Sequence, residues 1–169
     1  MEIVVRSHGP HGAVLEGAGT TRRAAIGAGG IGAKRAEGDG ITPAGRFAPR
    51  RALYRADRLV LPKTRLPIAA VAPDDAWCDD PSDPAYNHPV KLPHRGTCER
   101  LWREDHLYDL VVIIGFNDAP VIAGAGSAIF LHVARPDYGP TRGCIALALT
   151  DLLDVVALLQ RGDTISLKP

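Results

Sequence analysis

The stretch "HVARPDYGPTRGCIAL", residues 132–147, sets a histidine upstream of a glycine–cysteine pair, with a proline-containing loop between them. A free thiol, with a pKa of about 8.5, is a poor nucleophile at neutral pH, and an imidazole that takes its proton makes it a good one. Cys144 is therefore a candidate nucleophile and His132 a candidate base. Gly143 puts no side chain beside the sulfur, so a carbonyl can approach. The N–H groups of Gly143 and Cys144 are candidate donors to the oxyanion of a tetrahedral intermediate. A structural reading competes with this one. Cysteine is among the most buried residue types, and a Cys144 packed as a small apolar residue does no chemistry.

The elements that must position this pair follow from the flanking pattern. Residues 127–134, "SAIFLHVA", and residues 144–149, "CIALAL", read as strands. Strand side chains alternate between faces. Ile129, Leu131 and Val133 share one face, and Ala128, Phe130 and His132 the other. Ile145, Leu147 and Leu149 likewise oppose Cys144, Ala146 and Ala148. Both candidates thus point away from the aliphatic faces, toward a side lined largely by alanine. If the two strands pair antiparallel, His132 leaves one where Cys144 enters the next, and the imidazole reaches the thiol.

Elsewhere, "EIVVRS" (2–7), "RRAAIG" (22–27), "RRALYRADR" (50–58), "YDLVVIIGFN" (108–117) and "DTISLK" (163–168) read as strands. "TCERLWRED" (97–105) reads as a short helix with Thr97 as N-cap and Glu99 in its first turn. "TDLLDVVALLQRG" (150–162) reads as a second, capped by Thr150 and ended by Gly162. Residues 62–97 hold many Pro, Asp and Gly residues and read as a long surface excursion. The sum is a mainly β domain with one or two short helices, and residues 1–169 read as one domain.

Composition excludes several classes of function. The 169 residues carry 20 Lys and Arg against 19 Asp and Glu, a balance that gives no pull toward nucleic acid or an anionic membrane. Aromatics are 5% of the chain, too few for a stacking platform. No apolar run reaches the roughly 20 residues of a membrane span. The opening "MEIVVRSHGPHG" lacks the basic stretch and apolar core of a signal peptide. "GAGGIG" (27–32) imitates a dinucleotide loop without the helix that would present a pyrophosphate to amide donors. Of the 3 cysteines, Cys78 and Cys98 form the natural pair in an oxidising compartment, which leaves Cys144 free; three unpaired thiols are the alternative. Cys78, His88, His94 and Cys98 have zinc-ligand chemistry but match no compact zinc signature.

Three segments together resemble the L,D-transpeptidase catalytic domain, the YkuD-type family of bacterial cell-wall enzymes. They are "ITPAGRF" (41–47), "IFLHV" (129–133) and "TRGCIAL" (141–147), similar to that family's Thr-Pro-x-Gly-x-Phe, its upstream histidine and its Ser/Thr-His-Gly-Cys. "WCDDPSDPAYN" and "ERLWREDHLYDLVVIIGFND" resemble a divergent bacterial branch of it. The resemblance implies a β-sandwich-like catalytic domain that forms peptidoglycan cross-links between donor and acceptor stem peptides through a cysteine acyl-enzyme. Water in the acceptor's place would make it a carboxypeptidase, and a non-catalytic envelope-binding module of the same fold is the remaining alternative. In that picture Cys144 is the nucleophile, His132 the base, and Gly143 shapes the oxyanion pocket. Thr141 and Arg142 line the loop. The resemblance implies no metal or organic cofactor, acylation by carbapenem-type inhibitors, and a place in the periplasm or cell wall; a monomer is expected. Arg142 stands where the family carries a second histidine, and the arginine usual after the cysteine is absent from "CIALAL". Arg142 is a candidate for holding the substrate carboxylate. Tyr138, Asn117 and Trp102 complete the candidate substrate-binding set, with Arg103, Tyr86 and Asn87 as further cleft candidates.

Overall fold

A computed structural model describes residues 1–169. The first strands are β1 (Glu2–Ser7), β2 (Gly12–Gly17), β3 (Thr20–Ala25), β4 (Ile31–Gly32), β5 (Thr42–Pro43), β6 (Gly45–Phe47), β7 (Pro49–Tyr54) and β8 (Ile68–Ala70). They are followed by β9 (Asp75–Cys78), β10 (Pro89–Lys91), β11 (Cys98–Arg100), β12 (Leu110–Ile114), β13 (Phe130–Val133), β14 (Ile145–Leu147), helix α1 (Leu149–Leu158) and β15 (Thr164–Lys168). Ten strands make one sheet in the order β6-β15-β1-β2-β3-β14-β13-β12-β7-β8, and β10-β9-β11 make a second. The protein is mainly β, with one helix.

Strands β12 and β13 sit between two apolar layers, which explains why "LVVII" is a continuous apolar run rather than an alternating one. On one side, Leu110, Val112, Ile114 and Leu131 join the main core with Leu152, Val155 and Val156 of α1. On the other, Val111, Ile113 and Phe130 pack under Trp77 and Leu101 of the small sheet. Trp77 and Tyr108 each meet Phe130 edge to face, with centroids 5.3 and 6.0 Å away. Cys144 belongs to this second layer. It thus sits beside aromatic side chains as well as Ala128 and Ala146, the alanines that alternation predicts on its face.

Three sequence expectations give way. β13 and β14 pair parallel, not antiparallel, with His132 beside Ala146, so residues 134–144 form a crossover. The predicted helix over 97–105 is absent. Cys98, Glu99 and Arg100 instead pair antiparallel with Cys78, Trp77 and Ala76, because an open edge of β9 outbids the helical propensity of the segment. The helix expected over 150–162 runs Leu149–Leu158, with Ala148 at its N-cap and no side-chain cap from Thr150. Leu159 is extended and ends it, while Gly162, at φ 88°, turns the chain into β15.

Candidate active site

Cys144 enters at the head of β14, on a turn tied down by two threonines. The Thr141 hydroxyl accepts from Gly143 N–H at 3.1 Å and donates to the Cys144 carbonyl at 2.7 Å. Thr42, fully buried, accepts from Gly27 N–H at 2.8 Å and donates to the same carbonyl at 3.4 Å. The "ITPAGRF" segment thereby holds the backbone of Cys144. Gly143 has φ 127°, and a Cβ there would stand 2.9 Å from the Ile41 carbonyl oxygen, so only glycine fits. Its N–H is engaged by Thr141, whereas the Cys144 N–H has no intramolecular partner.

The Cys144 thiol donates to the Ala128 carbonyl at 3.1 Å and accepts from Phe130 N–H at 3.4 Å. It makes no hydrogen bond to His132. The two residues nevertheless share one face. Cys144 lies two positions before Ala146, the partner of His132. A strand spacing of about 4.8 Å and a rise of about 3.3 Å per residue put their Cα atoms about 8 Å apart.

The His132 ring is held in one tautomer. Its Nδ1 lies 2.9 Å from the Val133 carbonyl oxygen. A carbonyl only accepts, so Nδ1 carries the proton and Nε2 keeps its lone pair. Tyr108 packs edge to face on the ring at 5.3 Å. Burial pulls the His132 pKa down to about 4. Burial, with the Glu99 carboxylate adding to it, pushes Cys144 up to about 12. The pair therefore rests as a thiol and a neutral imidazole, not as a thiolate and an imidazolium.

Both side chains open on a cavity of about 510 Å³, lined also by Asp79, Glu99, Tyr108, Ser127 and Arg142. Two buried side-chain oxygens lack any hydrogen-bond partner, Asp79 Oδ1 and Ser127 Oγ, and both residues belong to this lining. Buried polar atoms are nearly always paired, which makes these two exceptional within the lining. Arg103, Arg135 and Arg142 bring positive charge and Glu37, Asp79 and Glu99 negative charge to the same cavity. Glu99 accepts from Tyr108 O–H at 2.5 Å, and burial raises its pKa despite that bond.

The structure brings Cys144, His132, Gly139, Thr141 and Arg142 to one cavity, with Gly143 behind the sulfur. Arg103, a further cleft candidate, lines the same cavity, whereas the other sequence candidates stand elsewhere. The Arg55 guanidinium covers Trp102 at 3.6 Å, and that of Arg23 covers Tyr138 at 4.1 Å. Asn117 braces its own loop, donating to the Ile122 and Gly126 carbonyls at 2.9 Å each. None of these three lines the cavity. Asn87 acts from behind it. Its Oδ1 accepts from Trp77 Nε1–H at 3.0 Å and from Ala128 N–H at 3.1 Å, fixing the residue whose carbonyl holds the thiol. Sequence reasoning missed Glu99, assigned to a helix, and also Asp79 and Ser127. The unpaired oxygens of the last two leave no trace in residue spacing.

The L,D-transpeptidase catalytic-domain family, YkuD, matches residues 3–167 of the chain. The protein belongs to this family. The YkuD motif segments thus have physical tasks here: Thr42 and Thr141 anchor the cysteine turn, and His132 offers Nε2 from β13. Among solved structures, Mycobacterium tuberculosis L,D-transpeptidase 1 is similar at 13% identity and a TM-score of 0.42, over 99% of this chain and 62% of that one. The chain thus spans about 62% of the length of that relative. No curated protein sequence matches the chain.

Proposed function

We propose that residues 1–169 form one cysteine-dependent catalytic unit that cross-links peptidoglycan stem peptides. The observation that supports this most is the shared cavity, in which a thiol and a neutral imidazole meet two unpaired polar oxygens and charges of both signs. A stem peptide carries carboxylates and an amine, and a cavity with arginines and carboxylates suits both.

In the reaction, the donor carbonyl enters from the cavity that Cys144 and His132 line. The thiol leaves Ala128, gives its proton to His132 Nε2 and attacks. The Cys144 N–H, free of any partner, donates to the oxyanion. Collapse expels the donor's terminal D-residue as an amine, which takes the proton from His132. A thioester remains on Cys144. The acceptor amine then attacks it, His132 again removes a proton, and the thiol is restored. Arg142 holds a donor carboxylate. The site of action is the periplasm or cell wall, where the substrate lies.

The test is incubation of the pure protein with peptidoglycan fragments, followed by mass spectrometry of the products. Cross-linked dimers are expected from the wild type and none from Cys144→Ala. Shortened monomeric stems would mean that water is the acceptor. No turnover, together with no carbapenem adduct on Cys144, would leave a binding module and refute the proposal. Arg142→Ala should raise the KM for the donor; an unchanged KM would remove that role.

A further inference from the structure

A second cluster of reactive side chains lies in the small sheet, apart from the cavity. Cys78 ends β9 and Cys98 begins β11, directly opposite each other in the antiparallel pair. His94 joins them from the connecting loop, and one ligand atom of each of the three lies within 4.8 Å of the others. The cysteines are not joined, and Cys78 is wholly buried. His88, which sequence reasoning grouped with them, turns away and bonds through Nδ1 to the Tyr86 carbonyl at 2.8 Å. A tetrahedral zinc ion, at about 2.3 Å from sulfur and about 2.0 Å from nitrogen, needs ligand atoms about 3.5–3.8 Å apart. Small side-chain movements bring the three to that spacing.

We propose that Cys78, His94 and Cys98 bind a zinc ion that clips the ends of the 79–97 segment together. The surroundings fit a cation. Asp83 Oδ2 lies 3.1 Å from His94 Nε2, the carboxylate–histidine contact that orients a metal-binding ring and leaves Nδ1 as the ligand. A Cβ on Gly96 would meet carboxylate oxygens of both Asp80 and Asp83 at 3.0 Å, so the loop gathers negative charge at this point. Binding displaces one proton from each thiol, and the two thiolates neutralise the ion. Water occupies the fourth position.

The clip sits one step from the catalytic machinery. The segment it closes carries Asn87, which holds Ala128 N–H, and Glu99 follows Cys98 directly into the cavity wall. The ion therefore acts as a structural brace.

Titration of reduced, metal-free protein with Co²⁺ under anaerobic conditions tests the site. One equivalent should give thiolate-to-cobalt charge-transfer absorption, and one equivalent of Zn²⁺ should abolish it. His94→Ala and Cys98→Ser, both at partly exposed positions, should weaken metal binding at least tenfold with unchanged circular dichroism. Asp83→Asn should weaken it by about tenfold, and Cys144→Ala should leave it intact. The proposal is overturned if the wild type shows no charge-transfer band, if the band survives both ligand variants, or if it vanishes in Cys144→Ala. A native Cys78–Cys98 disulfide that binds no metal after reduction overturns it as well.

Discussion

Asn87 offers the sharpest test of how the cavity floor is held. It is 6% exposed and sits at φ 57°. Besides accepting from Trp77 and Ala128, it donates through Nδ2 to the Phe116 and Asn117 carbonyls at 3.1 and 2.8 Å. Replacement by alanine strands two buried donors, Trp77 Nε1–H and Ala128 N–H, at about 1–3 kcal/mol each. The two carbonyls, at half-buried residues, regain water and add little. Alanine in the left-handed region costs about 1 kcal/mol more than asparagine does. The sum is about 5 kcal/mol, which lowers Tm by roughly 10–20 °C for a domain of this size. Asn87→Gly makes the same deletion without the backbone cost and should be about 1 kcal/mol less destabilised. Urea unfolding followed by tryptophan fluorescence measures both, with an unchanged m-value as the two-state check. Under native conditions the alanine variant should also acylate slowly, because Ala128 no longer holds the thiol. An alanine variant within about 1 kcal/mol of wild type, or a glycine variant no more stable than alanine, would refute this account of the floor.

Other perturbations have equally definite outcomes. Folding holds His132 at about 4, below the ordinary 6.5, so between those values the unfolded chain binds the extra proton. Stability therefore falls as pH drops through that window, by on the order of 3 kcal/mol; urea unfolding of His132→Asn should show a shallower loss, and parallel losses would clear His132 of the effect. Glu99→Gln removes a negative charge beside Cys144, lowers the thiol pKa and should speed its alkylation by iodoacetamide, read by peptide mass spectrometry; an unchanged rate would contradict the assigned coupling. Gly143→Ala drives a Cβ toward the Ile41 carbonyl at 2.9 Å and should abolish acylation while costing about 2 kcal/mol or more of stability. Full acylation of that variant would show that the turn yields.

β1 and β15 were legible because their residues alternate or branch at Cβ, and β1 runs Glu2–Ser7 as its pattern predicts. Alternation also placed His132 and Cys144 on one face, which the parallel register preserves. The pairing direction was not legible in the face pattern, although residues 134–144 are about the length a parallel crossover needs. Cys98–Arg100 looked helical because its charged neighbours and Thr97 satisfy local helix rules, while its strand state depends on β9, some twenty residues upstream. Glu99 was lost to the site with it. Trp102 and Tyr138 were candidates for substrate binding, whereas arginines distant in sequence cover their faces.

The crossover after β13 makes the eleven residues from Ala134 to Cys144 both roof and hinge-post. Gly139, Thr141 and Arg142 on this arch shape what can lie over the sulfur, and the same arch delivers the sulfur to its place. Selectivity and reactivity are therefore mechanically yoked. An insertion or deletion there would reshape what the cavity admits and displace the sulfur in one stroke, unless the anchors at Thr42 and Thr141 changed with it.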